Sequence, residues 1–326
     1  MSLVPIIDIA PYRLGGEAEK AAVARQIDAA CREIGFLMIT GHGVPEELIA
    51  AMYASAGSYF ALPFWEKMRL KMPADRYRGY TPYGAETLAY SLDQASPPDM
   101  KESFSIGPFD HALDEYHFGE AGYRYFAPNF WPERPLGMRT AWEAYYAEMN
   151  RLAGDLMRLF ALALGMPETW FDDKIDRHIT NFSAIHYPAQ ADPPAESQLR
   201  GGAHTDYGSL TIVHTDTRIG GLEVQGRDGA WSRVPVTPET FVINLGDLMA
   251  EWTNDRWVST MHRVANPSRS EAAHSKTSLL FFHQPNYDAV VECIPTCCDA
   301  GAPPRYSRTT SGEHVTMKIN KHRDLA

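Results

Sequence analysis

A series of short apolar segments, running from about Arg177 to about Val291, limits the fold of this chain more than any other feature. Turn residues separate the segments, as the triplet RDG separates GLEVQG from AWSRV. Short alternating segments of this kind are typical of β-strands, and several at this spacing predict a β-sandwich or a β-barrel. The other members of the series are SLTIVHT, TFVINLG and TSLLFFHQ.

The residues before this series combine helical patterns with two short apolar strands. Apolar side chains at helical spacing predict helices over residues 15–35, 45–62 and 137–164, and the segments PIIDI and FLMIT are typical of strands. Residues 71–135 are rich in proline, glycine and aromatic residues, which predicts a long irregular connection.

These patterns divide the chain into two parts. We expect residues 1–135 to form a helical and irregular N-terminal region that packs on the core. Residues 136–326 then form one structural unit, made of the long helix and the strands. The expected fold class is mainly β with flanking helices.

The charge of the chain argues against two classes of partner. The formal net charge is −11 and the pI is about 5.5, so the average surface repels phosphate backbones and anionic lipids. No apolar run approaches the length of a membrane span, and the N-terminus does not resemble a secretory signal. We therefore expect a cytoplasmic protein with a small-molecule substrate and without nucleic acid or membrane partners, whereas the sequence does not reveal the oligomeric state.

The segment GGAHTDYG contains a pair of residues suited to binding a metal ion. His204 and Asp206 are separated by one residue, so on an extended chain their side chains point the same way. His262, in STMHRVANP, is the best candidate for a third ligand. Two imidazoles and one carboxylate are the ligand set of non-haem Fe(II), and they leave positions open for an oxoacid and dioxygen. Because an isolated H-x-D is common, a structural role for these residues remains an alternative.

Several ordered phrases resemble one enzyme family over nearly the whole chain. EIGFLMITGHGV, RGYTPYG and DMKESFSIG are similar to the N-terminal region, and HTDYGSLTIV, FVINLGDLMAEWTN and STMHRVANP to the catalytic barrel, of the isopenicillin N synthase-like branch of the 2-oxoglutarate and Fe(II)-dependent oxygenases. The resemblance implies a double-stranded β-helix, or jelly-roll, with helices outside it. It also implies an Fe(II) ion bound by His204, Asp206 and His262, with 2-oxoglutarate as co-substrate and dioxygen as oxidant.

The expected site for the remote carboxylate of 2-oxoglutarate departs from the family pattern. The family has an R-x-S motif on a late strand and a tyrosine before a proline, whereas here Lys276 stands in the arginine position, with Ser278 and Tyr187 in theirs. Lysine keeps the positive charge but lacks the planar fork that binds a carboxylate through two hydrogen bonds. Two alternatives stay open, namely a surface position for Lys276 and Arg269 as the anchor.

The resemblance implies oxidation of a small-molecule metabolite, with hydroxylation as the expected outcome and with release of succinate and carbon dioxide. Candidate substrate contacts are Arg78, Tyr80, Tyr83 and Phe282. One alternative is an Fe(II) oxidase of the same fold that does not use 2-oxoglutarate, as isopenicillin N synthase does not. Two others are a metal-binding sensor without catalysis and a zinc hydrolase with the same three ligands.

Overall fold

The computed structural model describes residues 3–73, 76–88, 96–190 and 193–323. The helices in these residues are α1 (Ala10–Leu14), α2 (Glu17–Glu33), α3 (Glu46–Phe60), α4 (Phe64–Met68), α5 (Glu115–Phe118), α6 (Tyr123–Phe126), α7 (Met138–Ala163), α8 (Asp172–Ile175), α9 (Asp247–Trp252) and α10 (Ser311–Arg323). The strands are β1 (Ile6–Asp8), β2 (Phe36–Thr40), β3 (Gly79–Thr81), β4 (Glu102–Ile106), β5 (Asn181–Tyr187), β6 (Gly201–His204), β7 (Leu210–Thr215), β8 (Leu222–Gln225), β9 (Trp231–Arg233), β10 (Phe241–Leu245), β11 (His262–Val264), β12 (Lys276–His283), β13 (Val290–Val291) and β14 (Thr309–Thr310).

Two sheets contain most of the strands in the described parts of the chain. The larger sheet has the order β1-β2-β10-β7-β12-β5-β4-β3, and the smaller has the order β6-β11-β8-β9. Paired strands run antiparallel in both sheets, except that β1 and β2 run parallel. Neighbours in the sheet are often distant in sequence, as in a jelly-roll. The predicted fold class is confirmed.

The larger sheet has an apolar face and a face that lines a cavity. In β12, Leu279 and Phe281 belong to the main apolar core, whereas Lys276 and Ser278 line the cavity on the other side. The alternation follows from strand geometry, because successive side chains point to opposite faces of a sheet. One set of strands therefore builds the core and the binding site together.

The main apolar core lies between the larger sheet and the helices α2, α3 and α7. The long helix α7 buries Trp142, Leu152 and Leu156 completely. Burial of a large apolar side chain stabilises a fold by roughly 1.5–3 kcal/mol, so this helix is a major source of stability. The three helices predicted from apolar spacing are confirmed, with ends that differ by a few residues.

A second apolar cluster joins the two sheets. It contains Phe36 and Met38 of β2 and Val242 of β10 from the larger sheet, and Leu222 and Val224 of β8 from the smaller sheet. These contacts hold the sheets face to face on one side of the cavity, which leaves the remaining space between them open to a ligand.

The prediction of an irregular connection over residues 71–135 is wrong in part. This interval contains β3 and β4, and every residue of β4 is buried. Phe104 and Ile106 of β4 join the main core, while Ser103 and Ser105 line the cavity. The two serines make the strand difficult to predict from the sequence, because a face that lines a cavity does not have to be apolar.

The N-terminal part of the chain supplies both edges of the larger sheet. Strands β1 and β2 extend it beyond β10, and β4 and β3 extend it beyond β5. A division of the chain near residue 135 stays a prediction, and the strand pairing across it is extensive. In the described residues, no helix is both long and apolar enough to cross a bilayer.

Candidate active site

The two candidate histidine ligands come from neighbouring strands of the smaller sheet. His204 ends β6 and His262 begins β11, and their Cα atoms are paired in the antiparallel register. Asp206 follows β6 after one residue. The strand pairing therefore brings His262 beside His204 and Asp206, which precede it by more than 50 residues.

The ligand atoms of these three residues fit a single metal ion. One atom from each of His204, Asp206 and His262 lies within 4.8 Å of the others, and no other group of three such residues does so among the described residues. The Oδ1 atom of Asp206 is 3.7 Å from the Nε2 atom of His204 and 3.7 Å from that of His262. Such spacing suits atoms that each bind one central ion at about 2.0–2.2 Å.

Backbone carbonyl groups fix the orientation of both imidazoles. The Nδ1 atom of His204 is 2.8 Å from the carbonyl oxygen of Gly202, and that of His262 is 3.1 Å from the carbonyl oxygen of Thr260. Because a carbonyl only accepts hydrogen bonds, Nδ1 carries the proton and Nε2 keeps its lone pair for a metal. Burial and the neighbouring His262 lower the pKa of His204 to about 3, so its ring is neutral.

The Asp206 carboxylate has one oxygen tied to the protein and one free for a metal. The Thr211 hydroxyl and the Asn244 Nδ2 group, the latter at 2.6 Å, both donate to Oδ2. Burial raises the pKa of Asp206, but His262, His204 and these two donors outweigh it and keep the pKa below its usual range. The sequence analysis missed Thr211 and Asn244, although both lie at inward positions of predicted strands.

A cavity of about 930 Å³ lies between the sheets and contains the three candidate metal ligands in its wall. Its volume falls in the range of sites for small ligands. Every residue predicted for the site, except Tyr83, lines this cavity. The structure therefore brings the predicted metal and 2-oxoglutarate residues to one place, together with Arg78, Tyr80 and Phe282 of the predicted substrate contacts.

Lys276 lies inside the protein and does not take the surface position that was the alternative. It is 2% exposed, and its Nζ group donates to the carbonyl oxygen of Gly220 at 3.1 Å. Burial, with a smaller contribution from Arg200, lowers the pKa of Lys276 to about 8. Arg269, the rival anchor, is exposed.

Ser278 and Tyr187 lie beside Lys276 on the cavity wall. Tyr187 of β5 is the cross-strand partner of Lys276, and Ser278 follows two residues later on β12. The hydroxyl oxygens of Ser278 and Thr215 are 2.7 Å apart. Burial raises the pKa of Tyr187 to about 12, so its hydroxyl is neutral and can donate a hydrogen bond. A cation and two hydroxyl groups thus face one part of the cavity.

Arg78 and Tyr80 line the cavity, but both polar ends are held by the protein. The Arg78 guanidinium donates to the backbone carbonyl of Tyr125 and, at 3.2 Å, to Oδ1 of Asn181. The Tyr80 hydroxyl donates to Glu102. Both residues therefore shape the wall, and among their polar groups only Nε of Arg78 has no hydrogen-bond partner in the described residues.

The other two candidate substrate contacts have different environments. Phe282, on the cavity face of β12, lines the wall. Tyr83 lies outside it with 51% of its surface exposed, because the turn that follows β3 carries its side chain outward. Lys101 was not predicted, yet it lines the cavity and pairs with Glu86 at 3.1 Å.

Two family models match the chain. One, described as the N-terminal region of non-haem dioxygenases in morphine synthesis, matches residues 4–134. The other, described as the 2OG-Fe(II) oxygenase superfamily, matches residues 178–285 and so includes the candidate metal ligands and Lys276.

Individual proteins match over nearly the full length. The chain is 33% identical to a validamycin A dioxygenase of Streptomyces hygroscopicus subsp. limoneus, over 97% of this chain and 85% of that protein. It is 32% identical to a homoarginine-6-hydroxylase of Oryza sativa subsp. japonica, over 97% and 96% of the two chains. The crystal structure of a full-length Neurospora crassa protein in complex with alpha-KG (2-oxoglutarate) and thymine superposes with a TM-score of 0.85 at 26% identity, over 97% of this chain and 96% of that chain.

Proposed function

This chain belongs to the 2-oxoglutarate and Fe(II)-dependent oxygenases, and from that membership we propose that it hydroxylates a small molecule bound between its two sheets. The observation that carries the proposal is one cavity that contains both the His-Asp-His group and a buried cation with two neighbouring hydroxyl groups. The family assignment makes the chain an enzyme that uses Fe(II), 2-oxoglutarate and dioxygen.

In this proposal, His204, Asp206 and His262 hold the iron. A bound Fe(II) ion supplies the activation of dioxygen, coupled to conversion of 2-oxoglutarate into succinate and carbon dioxide. The protein contributes two imidazoles with fixed orientation and a carboxylate that presents a single oxygen. A metal ion held by only these three residues would have coordination positions left for the reactants.

The remote carboxylate of 2-oxoglutarate binds at Lys276, Ser278 and Tyr187 in this proposal. The ammonium group of Lys276 provides the charge, and the two hydroxyl groups can turn to donate hydrogen bonds. Charge-assisted hydrogen bonds in a site shielded from water are stronger than those between neutral groups, which supports an orienting role.

The charges of the wall favour a neutral or anionic substrate. The charge of Lys101 is paired with Glu86 at 3.1 Å, and in this proposal Lys276 binds 2-oxoglutarate and not the substrate. Arg78 is 2% exposed and, among the described residues, has no acidic side chain at ion-pair distance. Its positive potential therefore remains available to a substrate with a carboxylate or another electron-rich group.

Product analysis of the Fe(II)-loaded protein with a panel of neutral, anionic and cationic metabolites tests the proposal. We expect succinate release and dioxygen uptake in equal amounts with at least one neutral or anionic compound, and product heavier by one oxygen atom. The Asp206→Ala variant controls for background oxidation. Oxidised product without succinate would instead identify the oxidase alternative, and activity with zinc would identify the hydrolase.

A further inference from the structure

Arg200 is a buried cation that has no role in the function proposed above. It immediately precedes β6, and its side chain is completely buried. Its Nη2 group donates to the carbonyl oxygens of Pro188 at 3.5 Å and His274 at 3.3 Å, which are long contacts. Its Nε and Nη1 groups have no hydrogen-bond partner among the described residues. A buried guanidinium with so few partners is costly unless another group compensates for its charge.

The position of Arg200 connects it to the anchor for 2-oxoglutarate. Pro188 follows Tyr187 at the end of β5, and His274 precedes Lys276 at the start of β12, so Arg200 bonds to the backbone beside both anchor residues. The guanidinium carbon is 5.9 Å from the centre of the Tyr187 ring. Arg200 therefore lies behind the carboxylate site and not in the cavity wall.

The charges of the described residues leave an excess of positive charge at this end of the cavity. Arg200 and Arg233 both act against protonation of Lys276, whereas Asp216 and Glu271 favour it. Asp216, however, is already paired with Arg218 at 2.6 Å.

Three groups favour the protonated form of Arg200, namely the acidic residue Glu271 and the tyrosines Tyr187 and Tyr83. Glu271 accepts hydrogen bonds from the backbone and hydroxyl of Ser268 at an exposed loop. Tyrosine hydroxyls are neutral near pH 7, so they do not compensate for a cation. A bound dianion with its remote carboxylate near Lys276 and Tyr187 supplies the missing negative charge.

We propose that Arg200 is a positioning residue of the 2-oxoglutarate site, whose buried positive charge acts together with Lys276 on the remote carboxylate. This inference rests on the proposed role of Lys276. Arg200 supplies, from behind Tyr187, part of the attraction that the family's arginine supplies by direct contact. The two-cation arrangement also explains why a lysine without a planar fork serves in this position.

Calorimetric titration of the full chain, loaded with Fe(II) in the absence of oxygen, tests the inference. The ligands are 2-oxoglutarate and 2-oxopentanoate, which has the same length but lacks the remote carboxylate. In Arg200→Gln we expect the preference for 2-oxoglutarate to fall by about tenfold at pH 7, as for the loss of one nearby charge in a partly buried site. Binding of 2-oxopentanoate is the internal control and should change little. Arg200→Lys should keep most of the preference, and Arg269→Gln, at an exposed arginine, should keep all of it.

A pH series separates an electrostatic role from a packing role. Lys276 has a pKa of about 8, and Arg200 contributes to lowering it. Removing Arg200 should therefore move the alkaline loss of 2-oxoglutarate affinity to higher pH, even though the affinity at pH 7 is weaker. A packing defect would weaken the binding of both ligands equally at every pH. It would also leave unchanged the pH at which half of the 2-oxoglutarate affinity is lost, and this result would overturn the inference.

The Lys276→Met variant keeps the inference testable even if Arg200→Gln fails to fold. We expect it to lose most of the preference for 2-oxoglutarate over 2-oxopentanoate. A severalfold preference that is due to Arg200 should remain. Complete loss of the preference would refute the role of Arg200 while leaving Lys276 as the anchor. An unchanged preference in Lys276→Met would refute the proposed anchor itself.

Discussion

At the scale of single residues, the two carboxylate oxygens of Asp206 have different partners: Oδ2 accepts hydrogen bonds from the protein, and Oδ1 faces the two histidines. Thr211 and Asn244, whose donors both meet Oδ2, are cross-strand partners on β7 and β10. The H-x-D spacing and the family resemblance were enough to predict three candidate metal ligands that lie together in the structure, because their side chains have known metal chemistry. They could not predict the two supporting donors, since the meeting of these donors depends on the register of two strands.

Loss of the Thr211 hydroxyl should weaken iron binding. In Thr211→Val, the side-chain shape is kept but Oδ2 of Asp206 loses one of its two donors. Partners that orient metal ligands typically affect metal affinity by about 10- to 100-fold. We expect a loss of that size in competition with an Fe(II) chelator, and near-native affinity in the matched Thr211→Ser variant. Equal iron affinity in Thr211→Val and the parent chain would contradict this account.

The binding of 2-oxoglutarate should depend on the protonation of Lys276. Burial lowers its pKa to about 8, so the ammonium group is charged below that pH and neutral above it. We therefore expect affinity to fall as the pH rises through 8, by at most about tenfold per pH unit. Titrations with 2-oxoglutarate and 2-oxopentanoate at several pH values measure the effect.

Replacement of Lys276 by arginine provides the matched control for this pH dependence. Arginine stays charged at all these pH values, so Lys276→Arg should flatten the alkaline part of the profile. An equally steep profile in this variant would assign the pH dependence to another group.

At the scale of elements, α10 contributes a residue to the cavity wall. Val315 of this helix lines the cavity wall. The Nζ group of Lys318 lies 2.6 Å from Oδ2 of Asp247, at the start of α9. The backbone amide of Asp247 in turn donates to the carbonyl oxygen of Asp206 at 2.7 Å. A short series of contacts therefore connects the C-terminal helix to the metal-binding segment.

Breaking the contact between α10 and α9 should affect the substrate more than 2-oxoglutarate. Lys318 is partly exposed, so its ion pair contributes no more than about 1 kcal/mol to the free energy of unfolding. In Lys318→Met we expect a small change in Tm, a several-fold higher KM for the substrate and an unchanged Kd for 2-oxoglutarate. Met317→Gln, at the neighbouring exposed position, is the control. A change in 2-oxoglutarate affinity alone would contradict the placement of α10.

The success of sequence-based prediction differed between kinds of element. Helices such as α7 were predictable because one face packs on the core and the apolar residues recur with helical spacing. Strand β4 was not, because its inward residues Ser103 and Ser105 serve a cavity. A strand that lines a polar site loses the apolar alternation that would identify it.

At the scale of the whole molecule, the N-terminal part completes the larger sheet at both ends. Strand β10 pairs with β2 on one side, and β5 pairs with β4 on the other. The sequence predicted a helical and irregular N-terminal region that packs on the core, and not its strand pairing with that core, because pairing between distant strands leaves no local pattern. The jelly-roll itself was predictable from the resemblance of the core phrases.

A fragment of residues 136–326 should not behave as an independent folded domain. Without the N-terminal strands, β10 and β5 become sheet edges with unpaired backbone groups, and α7 loses its contacts with α2 and α3. We expect aggregation in size-exclusion chromatography and no cooperative thermal unfolding. Co-expression with residues 1–135 should restore soluble protein, and a monomeric fragment with a sharp unfolding transition would support two separable domains.

The central position of β12 has a consequence for the growing polypeptide on the ribosome. This strand lies between β7 and β5, yet it is translated after every other strand of its sheet. The strands on both sides of β12 are therefore synthesised before β12 itself. Since β12 carries Lys276 and Ser278, a nascent chain contains all three candidate metal ligands before it contains the proposed oxoacid anchor. The cavity wall is then complete only when that last strand inserts between its two neighbours.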